Sequence, residues 1–285
     1  MKESQEQVIQ ANGLNFALKL WQSTDGVPTL ALHGWLDNAG SFDAIAPLLD
    51  TPLFCAADLA GHGLSEHRPE GSHYYITDYA ADALAIADAL QWREFNLIGH
   101  SLGANIALVM AGIFPERIKK LVLIEGFGPH SREADAAVSQ LRSAFAKMKT
   151  YDPKKQPVYP DWATMVEKRM QGSTPVNRQA AEILCKRGVK AVSGGWSWRS
   201  DPRLRYPSPL RLTEAEVQAL IANISAPTCL ILGDKGLPLE FMKVESRREK
   251  LVNLHIATLR GGHHLHLEEG AEHVAATINT FLVTK

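Results

Sequence analysis

Cysteine is scarce: Cys55, Cys185 and Cys229 are the only three among 285 residues. An odd count, widely spaced and without metal-ligand spacing, argues against a disulfide framework and against a cysteine-based zinc module. Cys55 and Cys229 lie inside apolar runs, where a free thiol serves as a small core hydrophobe. A reducing compartment is therefore expected, with the cytoplasm as the default. No apolar run is long enough to cross a bilayer, and the polar stretch Met1 to Gln10 lacks a signal-peptide core. Net charge is slight as well. Thirty basic against 31 acidic residues leave −1, with no basic stripe, so nucleic acid and membrane insertion are not expected. There is no internal repeat or low-complexity tract. What remains is an ordinary globular composition, 45% hydrophobic and 21% charged, with a length that suits one or two domains.

Asn12-Gly13 separates two short apolar-rich runs and predicts a hairpin. Thr29 to His33, Leu53 to Ala57, Phe95 to Gly99, Leu121 to Ile124, Thr228 to Leu232 and Leu254 to Leu259 read as strands. The first five are near-continuously apolar, as strands buried on both faces are. Between them lie helical patterns: Asp78 to Leu90 with a cap at Thr77, Ser101 to Phe114, Pro238 to Leu251, and Glu269 to Phe281. The alternation implies an α/β fold with a doubly wound, mostly parallel sheet, whose ligands bind at the carboxyl ends of the strands. About a hundred residues separate Ile124 from Thr228, far more than one crossover needs. Residues 128–212 are therefore expected to form an inserted, mainly helical cap, with 1–127 and 213–285 as the core. Its expected helices are Ser131 to Met148, Asp161 to Gln171 and Pro175 to Gly188, followed by the Gly-, Trp-, Arg- and Pro-rich piece Gly194 to Pro209. A true second domain with its own core is the alternative.

The strongest chemical signal is Gly99-His100-Ser101-Leu102-Gly103, a Gly-x-Ser-x-Gly pattern between a strand and a helix. That is the setting of a nucleophile elbow, which projects the Ser101 hydroxyl at a helix N-terminus. His33-Gly34-Trp35-Leu36-Asp37 follows an early strand and suits an oxyanion loop, with Trp35 and Leu102 supplying backbone N–H donors. A weak serine nucleophile needs a base. His263, directly after Gly261-Gly262 at a strand end, is the expected one; His264 and His266 are assigned to packing or local hydrogen bonds. The histidine spacing here is unlike a helical metal-binding pair, so neither metal nor cofactor is expected. The acid that orients His263 has two natural places: Asp234, after the strand Thr228 to Leu232, and Glu125, after the strand Leu121 to Ile124.

With these motifs on hand, the chain resembles the α/β-hydrolases, specifically the serine hydrolase-like proteins. The resemblance rests on HGWLDNAGSFD (His33 to Asp43), DLAGHGLSEH (Asp58 to His67), GHSLG (Gly99 to Gly103), SDPRLR (Ser200 to Arg205) and GGHHLHLEEG (Gly261 to Gly270). It implies an α/β-hydrolase fold and a Ser-acid-His triad. Many such proteins carry the triad acid in a Gly-x-x-Asp after the penultimate strand. Here Gly236 stands in that place, so Glu125 is the preferred acid and Asp234 the alternative.

The expected activity is hydrolysis of a carboxylic ester or thioester through an acyl-enzyme, on a small, partly apolar substrate. Leu36, Leu102 and Phe127 are expected to line the acyl side, with Trp196 and Trp198 of the cap closing over it or simply packing. Arg199, Arg203 and Arg205 are expected in ion pairs, with a substrate carboxylate or phosphate as their alternative use. Carbon–carbon bond hydrolysis by the same triad is the second enzymatic reading. A ligand-binding or signalling protein with little turnover is the non-enzymatic one.

Overall fold

The computed structural model describes residues 3–22, 25–152 and 156–284. Strands β1 (Gln5–Ala11) and β2 (Leu14–Gln22) form an antiparallel hairpin about Asn12-Gly13, both in the left-handed region that such a turn requires. Then follow β3 (Thr29–Leu32), β4 (Leu53–Ala57), α1 (Ile76–Ala89), β5 (Phe95–His100), α2 (Leu102–Ile113) and β6 (Ile118–Ile124). After the insertion come α6 (Glu214–Ala222), β9 (Thr228–Lys235), α7 (Leu239–Met242), α8 (Val244–Arg248), β10 (Leu254–Gly262) and α9 (Ala271–Val283). The eight strands of the main sheet run in the order β1-β2-β4-β3-β5-β6-β9-β10. β2 is antiparallel to both its neighbours, and every pairing from β4 to β10 is parallel.

Apolar side chains cover both faces of this sheet, as the continuous hydrophobic strands require. Leu30, Leu32, Leu97, Leu121, Leu123 and Leu230 point to the side packed by α1, α2 and α6. Ala31, Ile98, Val122, Ile124 and Ile231 point to the other, where Val274 and Ile278 of α9 close the layer. Because β3, β5, β6, β9 and β10 are parallel, their carboxyl ends share one edge. The chain stretches that follow them, at Gly34, Ser101, Glu125, Gly236 and His263, gather there.

Between β6 and β9 lie α3 (Ala137–Met148), α4 (Trp162–Met170), α5 (Arg178–Gly188) and a hairpin of β7 (Val189–Val192) and β8 (Gly195–Trp198). The Gly-, Trp-, Arg- and Pro-rich piece Gly194 to Pro209 thus opens with a hairpin strand, β8, which carries Trp196 and Trp198. This insertion has a small apolar cluster of Met165, Val166, Ala180, Ala181, Leu184 and Cys185, and Leu267 of the main body joins it. Polar anchors add to the join. Asn38 donates to the Leu184 carbonyl at 2.9 Å, and Arg187 donates to Asp58 at 2.8 Å.

Two helix boundaries depart from expectation. α1 starts at Ile76 after Tyr75, which makes no side-chain cap, so Thr77 lies inside the helix. The span Pro238 to Leu251 is two short helices, broken at Lys243 with φ 53°. Met242 and Val244 are both buried. Residues two apart on one helix point to nearly opposite sides, so burying both in one core requires the break.

Candidate active site

Ser101 links β5 to α2 with φ 52° and ψ −111°, outside the regions ordinary residues occupy. The turn is held by Ser101 N–H donating to the Ile124 carbonyl (2.8 Å) and by Asn105 N–H donating to the Ser101 carbonyl (3.1 Å). It is possible because nothing larger than hydrogen stands at its flanks. A Cβ on Gly99 would lie 2.3 Å from the Gly103 carbonyl oxygen, and one on Gly103 would lie 1.9 Å from that of Leu32. Such strain of about 1–3 kcal/mol persists only where the surroundings over-determine it. The result is a half-buried serine at the N-terminus of a twelve-residue helix.

Glu125 follows β6, the neighbour of β5, and also has positive φ, 54°. Its carboxylate is buried and fully engaged. Oε1 accepts from Gly233 N–H at 2.7 Å, and Oε2 from Leu237 N–H at 2.7 Å. Oε2 also accepts from His263 Nδ1 at 3.1 Å, which assigns the ring proton to that nitrogen. Gly236 makes the arrangement possible, since a Cβ there would lie 2.2 Å from Oε1. Asp234 instead accepts from Gly261 N–H at 2.8 Å and is exposed. The structure thus brings His263 to Glu125 and leaves Asp234 holding the backbone before the histidine.

His263 is also tied to the elbow. His100, next to Ser101, donates from Nε2 to the His263 carbonyl at 2.8 Å, with ring centroids 4.8 Å apart. Burial and the neighbouring imidazoles hold the His100 ring far below the ordinary histidine range, so it stays neutral. His266 is pulled down to about 3, first by burial, and contacts Ser41 Oγ at 2.7 Å. His264 contacts Asp37 Oδ2 at 3.0 Å.

On the other side of the elbow, Gly34 to Asp37 follow β3, and Leu36 has φ 62°. The backbone N–H groups of Trp35 and Leu102 engage no acceptor among the described residues. The Trp35 indole donates to the Leu204 carbonyl at 2.9 Å. Asp37 is buried and also binds Arg169 of α4 at 2.7 Å. Burial alone would raise this carboxyl, but His264 and Arg169 outweigh it and hold the group well below the usual carboxylate range. This Asp37–Arg169–His264 cluster was not anticipated. Asp37, His100 and His264 are close enough together to resemble a metal site. The Arg169 guanidinium, donating to Asp37 and 3.2 Å from His264 Nε2, already supplies the cation there.

A small cleft of about 100 Å³ opens beside this loop, below the usual size range of small-molecule sites. Leu36 and Trp198 stand on its wall together with Trp35. Phe127 does not reach it; the ring is wholly buried in the core beneath the site. Trp196 packs edge-on against Trp162, centroids 5.5 Å apart, inside the insertion. Arg203 pairs with buried Asp201 at 2.6 Å, as expected of an ion pair, and Arg199 donates to the Val189 carbonyl.

Residues 28–269 match the model of the α/β hydrolase fold family. A serine hydrolase-like protein of Danio rerio is 30% identical over 276 residues, covering 93% of this chain and 84% of that protein. The crystal structure of a hypothetical protein of Pseudomonas aeruginosa PAO1 superimposes with a TM-score of 0.93 at 41% identity, over 98% of this chain and 99% of that one. The thioesterase domain from the curacin biosynthetic pathway superimposes with a TM-score of 0.83 at 24% identity, over 99% of each chain, a likeness of fold.

Proposed function

The chain belongs to the α/β-hydrolase fold family, among the serine hydrolase-like proteins, and from that premise we propose that it hydrolyses a carboxylic ester or thioester through an acyl-enzyme on Ser101. In this mechanism Ser101 Oγ attacks the substrate carbonyl and His263 Nε2 takes the hydroxyl proton. Glu125 keeps the other ring proton on Nδ1 and stabilises the imidazolium. The N–H groups of Trp35 and Leu102 receive the oxyanion at the positive end of α2. Collapse expels the alcohol or thiol, which takes its proton from His263. Water then attacks the acyl-enzyme with His263 as base, releasing the carboxylic acid and restoring Ser101. Residues 128–212 act as the cap, with Leu36 and Trp198 against the substrate.

The observation that carries this reading is the Glu125–His263 hydrogen bond at 3.1 Å in the space left by Gly236. A buried carboxylate already accepting two backbone N–H bonds, with a histidine on top, beside a strained serine, is what serine activation needs. The thioesterase likeness is consistent with thioesters as substrates. Turnover of para-nitrophenyl esters by purified protein tests it. Ser101→Ala should abolish turnover. Glu125→Gln should lower it by about 10⁴-fold, and Asp234→Asn by far less. Full activity in Glu125→Gln would remove Glu125 from the mechanism.

A further inference from the structure

The cleft beside Trp35 and Leu36 carries an uncompensated charge. Lys168, Arg169 and Arg205 all line it, and no carboxylate does. Arg169 is neutralised by Asp37. Lys168 and Arg205 have no ion-pair partner among the described residues. The contrast with nearby arginines is sharp. Arg203 is saturated by Asp201 and by the carbonyls of Arg68, Pro69 and Ser72, and Arg199 is used by the Val189 carbonyl. Arg205 alone of these three faces the cleft.

With Arg169 neutralised, Lys168 and Arg205 are two like charges on one cleft, and an anion entering it relieves their repulsion. Guanidinium binds carboxylate or phosphate oxygens bidentately, and an ammonium binds them as a point charge. The apolar wall of Trp35, Leu36 and Trp198 would meanwhile accept hydrocarbon. We propose that Arg205 and Lys168 bind an anionic carboxylate or phosphate group of the substrate, so that the preferred substrate is an anionic ester or thioester. This rests on the ester or thioester reading above and narrows its substrate class.

Two matched pairs of substrates test it. The para-nitrophenyl monoester of adipate against para-nitrophenyl hexanoate places a carboxylate on the acyl chain. Hexanoyl-coenzyme A against the hexanoyl N-acetylcysteamine thioester places phosphates on the leaving group. In at least one pair the anionic member should have a kcat/KM about tenfold or more above its neutral partner. That ratio should fall toward unity in Arg205→Gln and in Lys168→Gln and with rising salt, while Arg205→Lys, which keeps the charge, retains most of it. Thermal melts establish that each variant folds. No preference in either pair, or a preference that both glutamine variants keep, overturns the proposal and leaves the hydrolase reading standing. If the wild type cleaves none of the four, the hydrolase reading has failed instead. Calorimetric titration of adipate and of coenzyme A then decides the site: binding lost in Arg205→Gln retains it, and no binding to the wild type removes it.

Discussion

The carboxylate of Glu125 occupies space that any side chain at position 236 would need, because a Cβ on Gly236 would come within 2.2 Å of Oε1. Glu125 is legible in the sequence from what position 236 lacks. Arg169 is not legible there. That residue sits in the last turn of α4, where a cation ordinarily serves the helix dipole, and only the packing of insertion on core brings it to Asp37. Asp37 and Arg169 are 2% and 10% exposed at their side chains. Removing one partner of such a pair leaves the other charge buried alone. Arg169→Met is therefore predicted to destabilise the protein by about 3–5 kcal/mol, read from urea unfolding midpoints. A variant as stable as the wild type would mean that His264 alone suffices for Asp37.

At the scale of elements, β6 and β9 are adjacent parallel strands whose ends approach the same histidine. In the proposed mechanism, the acid should accordingly be transferable from one to the other. Gly236 lies outside the positive-φ region, so an aspartate fits its backbone once Glu125 is gone. Gly236→Ala alone should expel the Glu125 carboxylate and lower turnover. Glu125→Gly combined with Gly236→Asp should recover roughly tenfold or more over Glu125→Gly alone. No recovery would show that the acid works only from the end of β6. The strands were legible because buried parallel strands are written as unbroken apolar runs, as in Leu53 to Ala57. β9 and β10 run on beyond their apolar parts to Lys235 and Gly262, extensions made by backbone pairing that side-chain type does not signal. The break at Lys243 and the hairpin at Trp196 were likewise illegible, since both follow from what the neighbouring elements bury.

For the whole molecule, the histidines set the response to acid. His62 and His266 are each pulled down to about 3 by burial, and His33 and His100 are lowered by the same cause. The unfolded chain takes up protons on these rings near pH ~6.5, whereas the folded chain keeps them neutral well below that. Stability is thus fully present above pH ~6.5 and is lost progressively as pH falls toward about 3. The low carboxyl of Asp37 adds a further loss at the acid end of that window. Thermal midpoints measured across this range should fall steadily with acidification; a flat profile would contradict the buried-neutral assignment. At neutral pH the three thiols, buried and pushed up to about 12, should resist a thiol reagent until the protein unfolds. No helix among the described residues is long and apolar enough to cross a membrane.

The proposed mechanism requires Ser101 to be an activated nucleophile, and a fluorophosphonate probe followed by peptide mapping reads this out. Rapid labelling at Ser101 is expected, strongly slowed in Glu125→Gln and absent in His263→Ala. A folded wild-type protein that leaves Ser101 unlabelled, or labels it equally fast without His263, would contradict it.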